Sequence, residues 1–140
     1  MSVMDWDPTL ETGDPVVDEQ HRGVVALINE IDDIEPDDTA GLLSVAERLM
    51  DHVETHFGTE EDLMRRGGYP AEAYEAHVRE HQLLKEKARD AVLQFRSGAK
   101  AGKEPFVEFL RVWLVDHIET EDRKLVGHVK VSGAAARRPE

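Results

Sequence analysis

Apolar residues recur every three or four positions through four successive stretches of the chain, which is the period of an α-helix. No stretch alternates with the period of two that a half-buried β-strand requires. Helix-breaking residues separate the stretches: Asp14-Pro15 before the first, residues 36–39, residues 67–70, residues 98–102, and Pro105 at the start of the fourth. We therefore predict an all-α, up-down-up-down four-helix bundle with short loops and a short N-terminal leader.

The length of 140 residues suits a single domain with a substantial core. We predict that residues 1–130 form the bundle, with residues 1–13 as its leader. Residues 131–140 contain glycine, alanine and proline, and we expect them to form a flexible tail.

Composition and charge exclude several classes of function. The longest apolar runs are too short for a transmembrane helix, so membrane insertion is not expected. The chain has no cysteine, which excludes disulfides, thiolate ligands and cysteine-bound clusters. A formal net charge of −13 argues against nucleic acid as a partner. The N-terminus lacks the charged-then-apolar pattern of an export signal, so we expect a cytoplasmic protein.

Histidine occurs on the apolar stripe of every predicted helix: His21, His56, His77 with His81, and His117. His77 and His81 are four positions apart and thus share one helix face, and His56 and Glu60 repeat that spacing. One such pair alone would suit a solvated helix equally well. Together they need a shared reason, because burying an imidazole without a partner is costly. Nitrogen and oxygen donors without sulfur indicate a site for iron, manganese or zinc.

Spacing alone leaves the last carboxylate undecided. Glu121 lies four positions after His117, whereas Asp122 lies five positions after it. Five positions correspond to about 140° around an α-helix, so regular helical geometry favours Glu121.

Four motifs and the leader resemble the hemerythrin family over about Trp6 to Leu125, and the leader resembles the bacterial branch of that family. The motifs are Asp18-Glu19-Gln20-His21, His56-Phe57-Gly58-Thr59-Glu60-Glu61, His77-x-x-x-His81 and Trp113-Leu114-x-x-His117-Ile118-x-x-x-Asp122. The leader contributes Trp6 and Thr12-Gly13.

The resemblance implies a non-heme di-iron centre with seven protein ligands. It assigns His77, His81 and His117 to one iron, His21 and His56 to the other, and Glu60 and Asp122 as bridges beside an oxo or hydroxo bridge. It thereby chooses Asp122 over Glu121. The iron with fewer protein ligands would keep an open position, at which members of this family bind dioxygen.

Reversible binding of dioxygen requires a dry pocket, because water and protons would end it. Residues beside the expected ligands are predicted to wall that pocket: Phe57, Trp113, Leu114 and Ile118. Ordinary core packing explains each of these apolar residues equally well.

Two further histidines lie outside the implied ligand set. His52, one turn before His56, would suit a second-shell partner, a proton donor or a spare ligand. We favour a hydrogen-bonded or half-exposed histidine for His52 and a surface position for His128.

These features together predict an oxygen carrier, store or supplier rather than an enzyme. Di-iron oxidases built on four helices use Glu-x-x-His pairs, and this chain contains none. The alternatives are a di-iron enzyme that consumes peroxide or nitric oxide, and a sensor of oxygen or iron. The sequence does not identify a protein partner.

Overall fold

The computed structural model describes residues 4–98 and 103–132, and within these ranges it contains helices and no strand. The elements are a 3₁₀ turn (Pro8–Leu10), α1 (Pro15–Asp33), α2 (Thr39–Arg66), α3 (Ala71–Arg96), α4 (Lys103–His117), a π-helical turn (Ile118–Asp122) and α5 (Arg123–Ser132). The last three follow one another without a break and form the fourth rod of the bundle. No helix in the described ranges is long and apolar enough to cross a membrane. Residues 99–102 of the predicted linker and residues 133–140 of the predicted tail lie outside the described residues.

Local sequence signals set the ends of the helices. The Asp14 carboxylate accepts two backbone N–H groups of the first turn of α1, at 2.9 and 3.1 Å. Asp38 does the same once for α2, at 2.9 Å. Gly68 and Gly98 have φ angles of +64° and +86°, a region that other residues rarely adopt, and they follow the ends of α2 and α3. The predicted helix boundaries at these four residues are confirmed.

The rods form a ring in which α1 packs on α2 and α4, and α3 packs on α2 and α4. The interior contains two apolar clusters. The smaller cluster comprises Val17, Leu63, Met64, Tyr69, Leu125 and Val129. On α1, Val17 belongs to this smaller cluster and Val24 to the larger one, and the buried His21 lies between them. The predicted four-helix bundle is confirmed, and it encloses a polar layer between two apolar layers.

The fourth rod departs from α-helical geometry directly after His117. The backbone N–H of Arg123 donates to the Ile118 carbonyl, an i→i+5 hydrogen bond that defines a π-helical turn. The wider turn brings Asp122 to a fully buried position, whereas Glu121 is half-buried. Regular helical spacing favoured Glu121 as the carboxylate that faces the interior. Asp122 is the more buried of the two instead, because the helix is not a regular α-helix at this point.

The leader is tied to α1 beside the first turn of that helix. Asp18 accepts hydrogen bonds from the Thr12 backbone N–H at 2.8 Å, from the Thr12 hydroxyl at 2.7 Å and from the Gly13 N–H at 3.1 Å. The guanidinium of Arg22 lies over the Trp6 ring at 4.9 Å. These contacts hold the leader against the helix that carries His21.

Candidate metal centre

All seven residues that the resemblance selected meet in one buried layer, where each is at most 2% exposed. Their donor atoms form two groups, and within each group all the atoms lie within 4.8 Å of one another. The first group contains His77, His81 and His117, the second contains His21 and His56, and both contain Glu60 and Asp122. These histidine and carboxylate residues are positioned to bind metal.

The two oxygens of Asp122 face different groups. Oδ2 lies 2.8 Å from Nε2 of His21. Oδ1 lies 3.0 Å from Nε2 of His77 and 3.1 Å from Nε2 of His117. One carboxylate therefore reaches both clusters of imidazole nitrogens, which the π-helical turn makes possible.

Glu60 also contacts both groups. Its Oε1 lies 3.1 Å from Nε2 of His81 and 3.3 Å from Nε2 of His56. Its Oε2 is buried and has no hydrogen-bond partner among the described residues. Glu60 thus has a free oxygen inside the layer that a cation would satisfy.

Other donor atoms of the layer also lack hydrogen bonds from the described residues. Both ring nitrogens of His21, His77 and His117 are buried without a hydrogen bond within this part of the chain, and so are both oxygens of Asp122. The nitrogens and oxygens approach within about 3 Å, yet their orientations are not those of hydrogen bonds. Unpaired buried polar atoms are costly. Lone pairs that converge in this way fit a bound metal cation.

Burial also sets the charge state of the layer. It lowers the pKa of His56 and, with help from neighbouring imidazoles, the pKa of His81. Burial raises the pKa of Glu60, and the nearby Asp122 carboxylate raises it further. Burial also opposes ionisation of Asp122, but His117 and other histidines outweigh it and hold that pKa well below its usual range. His56 and His81 are thus held neutral, which is the form of imidazole that ligates metal. For His117 burial is outweighed by the attraction of the Asp122 carboxylate, which raises the pKa.

Three residues that sequence reasoning did not select contact the outer nitrogens of the histidines. They are Gln20, with Oε1 2.7 Å from Nδ1 of His56; Glu61, with Oε2 3.0 Å from Nδ1 of His81; and Glu80, with Oε1 3.8 Å from Nδ1 of His117. Each is a sequence neighbour of one of the seven residues and contacts another on a different segment. Such outer partners orient metal-binding histidines and tune their basicity.

The predicted wall residues are all buried, and two of them stack on histidines. Phe57 lies parallel to the His81 ring with centroids 3.8 Å apart, and Trp113 lies parallel to the His117 ring at 4.4 Å. The aromatic pair therefore covers two of the three histidines of that group. The other two predicted wall residues belong to the larger apolar cluster: Leu114 and Ile118.

The two histidines outside the ligand set have partners on the backbone. His52 is half-buried, and its Nε2 donates to the Gln20 carbonyl at 2.8 Å. It is therefore a hydrogen-bonded histidine and belongs to neither donor group. His128 is half-buried as well, with Nε2 2.7 Å from the Gly67 carbonyl. The expected surface position of His128 was wrong, because α5 packs beside the end of α2.

Comparison with known proteins agrees with this geometry. A family model described as "Hemerythrin HHE cation binding domain" matches residues 12–129. A bacteriohemerythrin of Pseudomonas aeruginosa is 32% identical over 133 residues, covering 94% of this chain and 85% of the relative. A hemerythrin-like protein of Naegleria gruberi is 29% identical over 126 residues, covering 90% and 93%.

Solved structures give the same result for the fold. A wild-type hemerythrin crystal structure superimposes with a TM-score of 0.79 at 27% identity, covering 87% of this chain and 94% of the other. A single-residue variant of hemerythrin gives a TM-score of 0.82 at 26% identity, covering 91% and 98%. The family model extends over most of the chain and the relatives align along nearly all of it, so this chain belongs to the hemerythrin family.

Proposed function

We propose that this protein binds dioxygen reversibly at a non-heme di-iron centre and serves as an oxygen carrier, store or supplier, not as an enzyme. The observation that carries the proposal is the division of the donor atoms into two groups with unequal numbers of histidines, three and two, which share both carboxylates. Two metals with a common pair of bridges and one less-occupied metal fit that division. Membership of the hemerythrin family supports it.

In this proposal each of the seven buried residues has a defined role. The three-histidine group of His77, His81 and His117 would hold one iron, His21 and His56 would hold the other, and Glu60 and Asp122, which belong to both donor groups, would be shared between them beside an oxo or hydroxo bridge. When bound, the two ferrous ions supply the two electrons that reversible binding of dioxygen uses. The two-histidine group offers one ligand fewer, so an iron held there would have a position left for dioxygen.

The apolar residues around the polar layer limit the access of water to the layer as a whole. Phe57, Trp113, Leu114 and Ile118 are buried and separate the polar layer from solvent on the side of the larger cluster. A dry, weakly polar pocket withholds the protons that would convert reversible binding into loss of peroxide. We further propose that the protein works in the cytoplasm and that dioxygen is its ligand.

Iron-loaded protein is expected to contain two irons per chain. The reason is that the two donor groups have different histidines and have only Glu60 and Asp122 in common. Elemental analysis after anaerobic loading and desalting measures this ratio. His128→Ala is the matched control: it removes a half-buried histidine outside both groups and should retain two irons. One iron per chain, or zinc retained in preference after iron loading, would contradict the proposal.

Shortening Leu114 to alanine is expected to speed the decay of the oxygenated protein to the diferric form severalfold, with the iron content unchanged. Leu114 is 3% exposed and lies one turn before His117, so its loss opens a path for water to the layer. Decay is followed optically after anaerobic loading and exposure to dioxygen.

Leu110→Ala provides the control for this change. Leu110 is 2% exposed, belongs to the same apolar cluster and lies one turn further from His117. Both variants should lose about 2–5 kcal/mol of stability, as core truncations of leucine do. Equal decay rates for the two variants would mean that Leu114 only packs in the core and has no special role in excluding water from the layer.

A further inference from the structure

His56 differs from two other histidines of the layer in the partner of its outer nitrogen. Nδ1 of His81 faces the Glu61 carboxylate at 3.0 Å, and Nδ1 of His117 faces the Glu80 carboxylate at 3.8 Å. Nδ1 of His56 faces a neutral amide oxygen, Oε1 of Gln20, at 2.7 Å. Within the three-histidine group, His81 therefore has a hydrogen-bonded carboxylate as its outer partner and His117 has a carboxylate nearby, whereas in the two-histidine group the outer partner of His56 is uncharged.

A chain of hydrogen bonds fixes the orientation of the Gln20 amide. The Thr59 hydroxyl donates its only proton to the Thr55 carbonyl at 3.1 Å. It can then act only as an acceptor toward Gln20 Nε2, which lies 3.1 Å away. The amide nitrogen therefore faces Thr59, and the amide oxygen faces His56.

This orientation determines the tautomer of His56. An amide oxygen accepts hydrogen bonds only, so Nδ1 of His56 has to carry the proton. Nε2 is then left with its lone pair, and it lies 3.3 Å from Oε1 of Glu60 inside the layer. The nitrogen that faces the candidate metal position is thus kept ready to act as a ligand.

Gln20 is itself anchored from the opposite helix. The backbone carbonyl of Gln20 accepts a hydrogen bond from Nε2 of His52 at 2.8 Å. His52 fits against α1 because Gly23 has no side chain: a Cβ there would lie 2.5 Å from the His52 ring. Thus α2 supplies His56 and, one turn earlier, the residue that holds the backbone of its partner.

We propose that Gln20 is a positioning residue that locks His56 in the Nδ1–H tautomer and, as a neutral partner, keeps the two-histidine group the less electron-rich of the two. A carboxylate that accepts from a ligating histidine raises the basicity of the imidazole, and an amide does so much less. The electronic half of this proposal rests on the proposed di-iron function, whereas the positioning half concerns the metal-free protein.

The tautomer is measured on metal-free protein by ¹H–¹⁵N correlation spectra of the histidine rings. We expect His56 protonated at Nδ1 in the wild type and in a mixture of tautomers in Gln20→Leu. Gln94→Leu, an exposed change on α3, should leave the His56 signals unchanged.

Cobalt(II) affinity should fall about 10–100-fold in Gln20→Leu, the usual effect of losing an outer partner. Thr59→Val keeps Gln20 but frees its amide, and it should give an intermediate loss. A wild-type His56 protonated at Nε2, or tautomers that do not respond to Gln20→Leu or Thr59→Val, would overturn the positioning role.

The electronic half is tested with Gln20→Glu, which replaces the amide nitrogen by oxygen and adds a charge. We expect the reduction potential of the iron pair to fall, with a shift of about tenfold in the ferric-to-ferrous equilibrium, about 59 mV for one electron. Glu61→Gln should raise the potential, and each potential is measured on protein that elemental analysis shows to be loaded with the iron pair. Unchanged potentials would overturn this half. Failure to load an iron pair would contradict the proposed function but not the positioning role, which the metal-free tautomer decides.

Discussion

Asp122→Ala is expected to abolish binding of the iron pair, whereas Glu121→Ala should leave both irons bound. Asp122 is fully buried, and its two oxygens lie within 3.1 Å of imidazole nitrogens from both donor groups. In the proposed centre its removal would take one ligand from each metal, and it leaves the histidines without their shared anion. The loss should exceed the roughly 10–100-fold effect of removing an outer partner.

Iron per chain after anaerobic loading measures the difference between these two variants. Glu121 is the matched control because it is the adjacent carboxylate on the same π-helical turn, yet it belongs to neither donor group. Circular dichroism checks that both variants keep the bundle. If Glu121→Ala loses the irons and Asp122→Ala retains them, the assignment of ligands on this rod is wrong.

Iron loading is expected to raise the melting temperature by roughly 10 °C. Metal-free protein buries unpaired nitrogens and oxygens in the layer, and a metal that binds only the folded state stabilises it by linkage. A free iron concentration of 100 times the dissociation constant contributes about 2.7 kcal/mol. A change of 1 kcal/mol moves the melting temperature of a domain of this size by about 4 °C.

Calorimetry of metal-free and diferrous protein under anaerobic conditions measures this shift. Asp122→Ala serves as the control, since a variant without the iron pair should melt at the same temperature with and without iron. Equal melting temperatures for the metal-free and diferrous wild-type protein would mean that metal binding does not stabilise the fold, which contradicts this prediction.

The sequence predicts the bundle well because its signals are local. Helical periodicity marks the four rods, and Asp14, Asp38, Gly68 and Gly98 mark their ends through short-range hydrogen bonds or a left-handed backbone. The π-helical turn has no comparable signature, because i→i+5 hydrogen bonding is rare and depends on what the turn faces. Helical spacing therefore favoured Glu121, and family resemblance was needed to select Asp122.

The candidate site is predictable in its residue types and less so in its arrangement. The spacing of His77 and His81 indicates a shared face, but the convergence of four rods on one layer depends on tertiary packing. The same is true of the outer partners. Gln20 reaches His56 because α1 packs on α2, and Glu80 approaches His117 because α3 packs on α4. Nothing in the local sequence distinguishes these two polar residues from solvated ones.

Exposure of anaerobic diferrous protein to dioxygen, followed by its withdrawal, tests reversible binding most directly. Optical spectra recorded through repeated cycles report the state of the centre, and an oxygen electrode reports net consumption. We expect a spectrum that appears with dioxygen and disappears on its removal, with no net consumption of dioxygen. Irreversible oxidation on first contact with dioxygen would contradict an oxygen carrier. Turnover of peroxide or nitric oxide by the same protein would then support an enzyme instead.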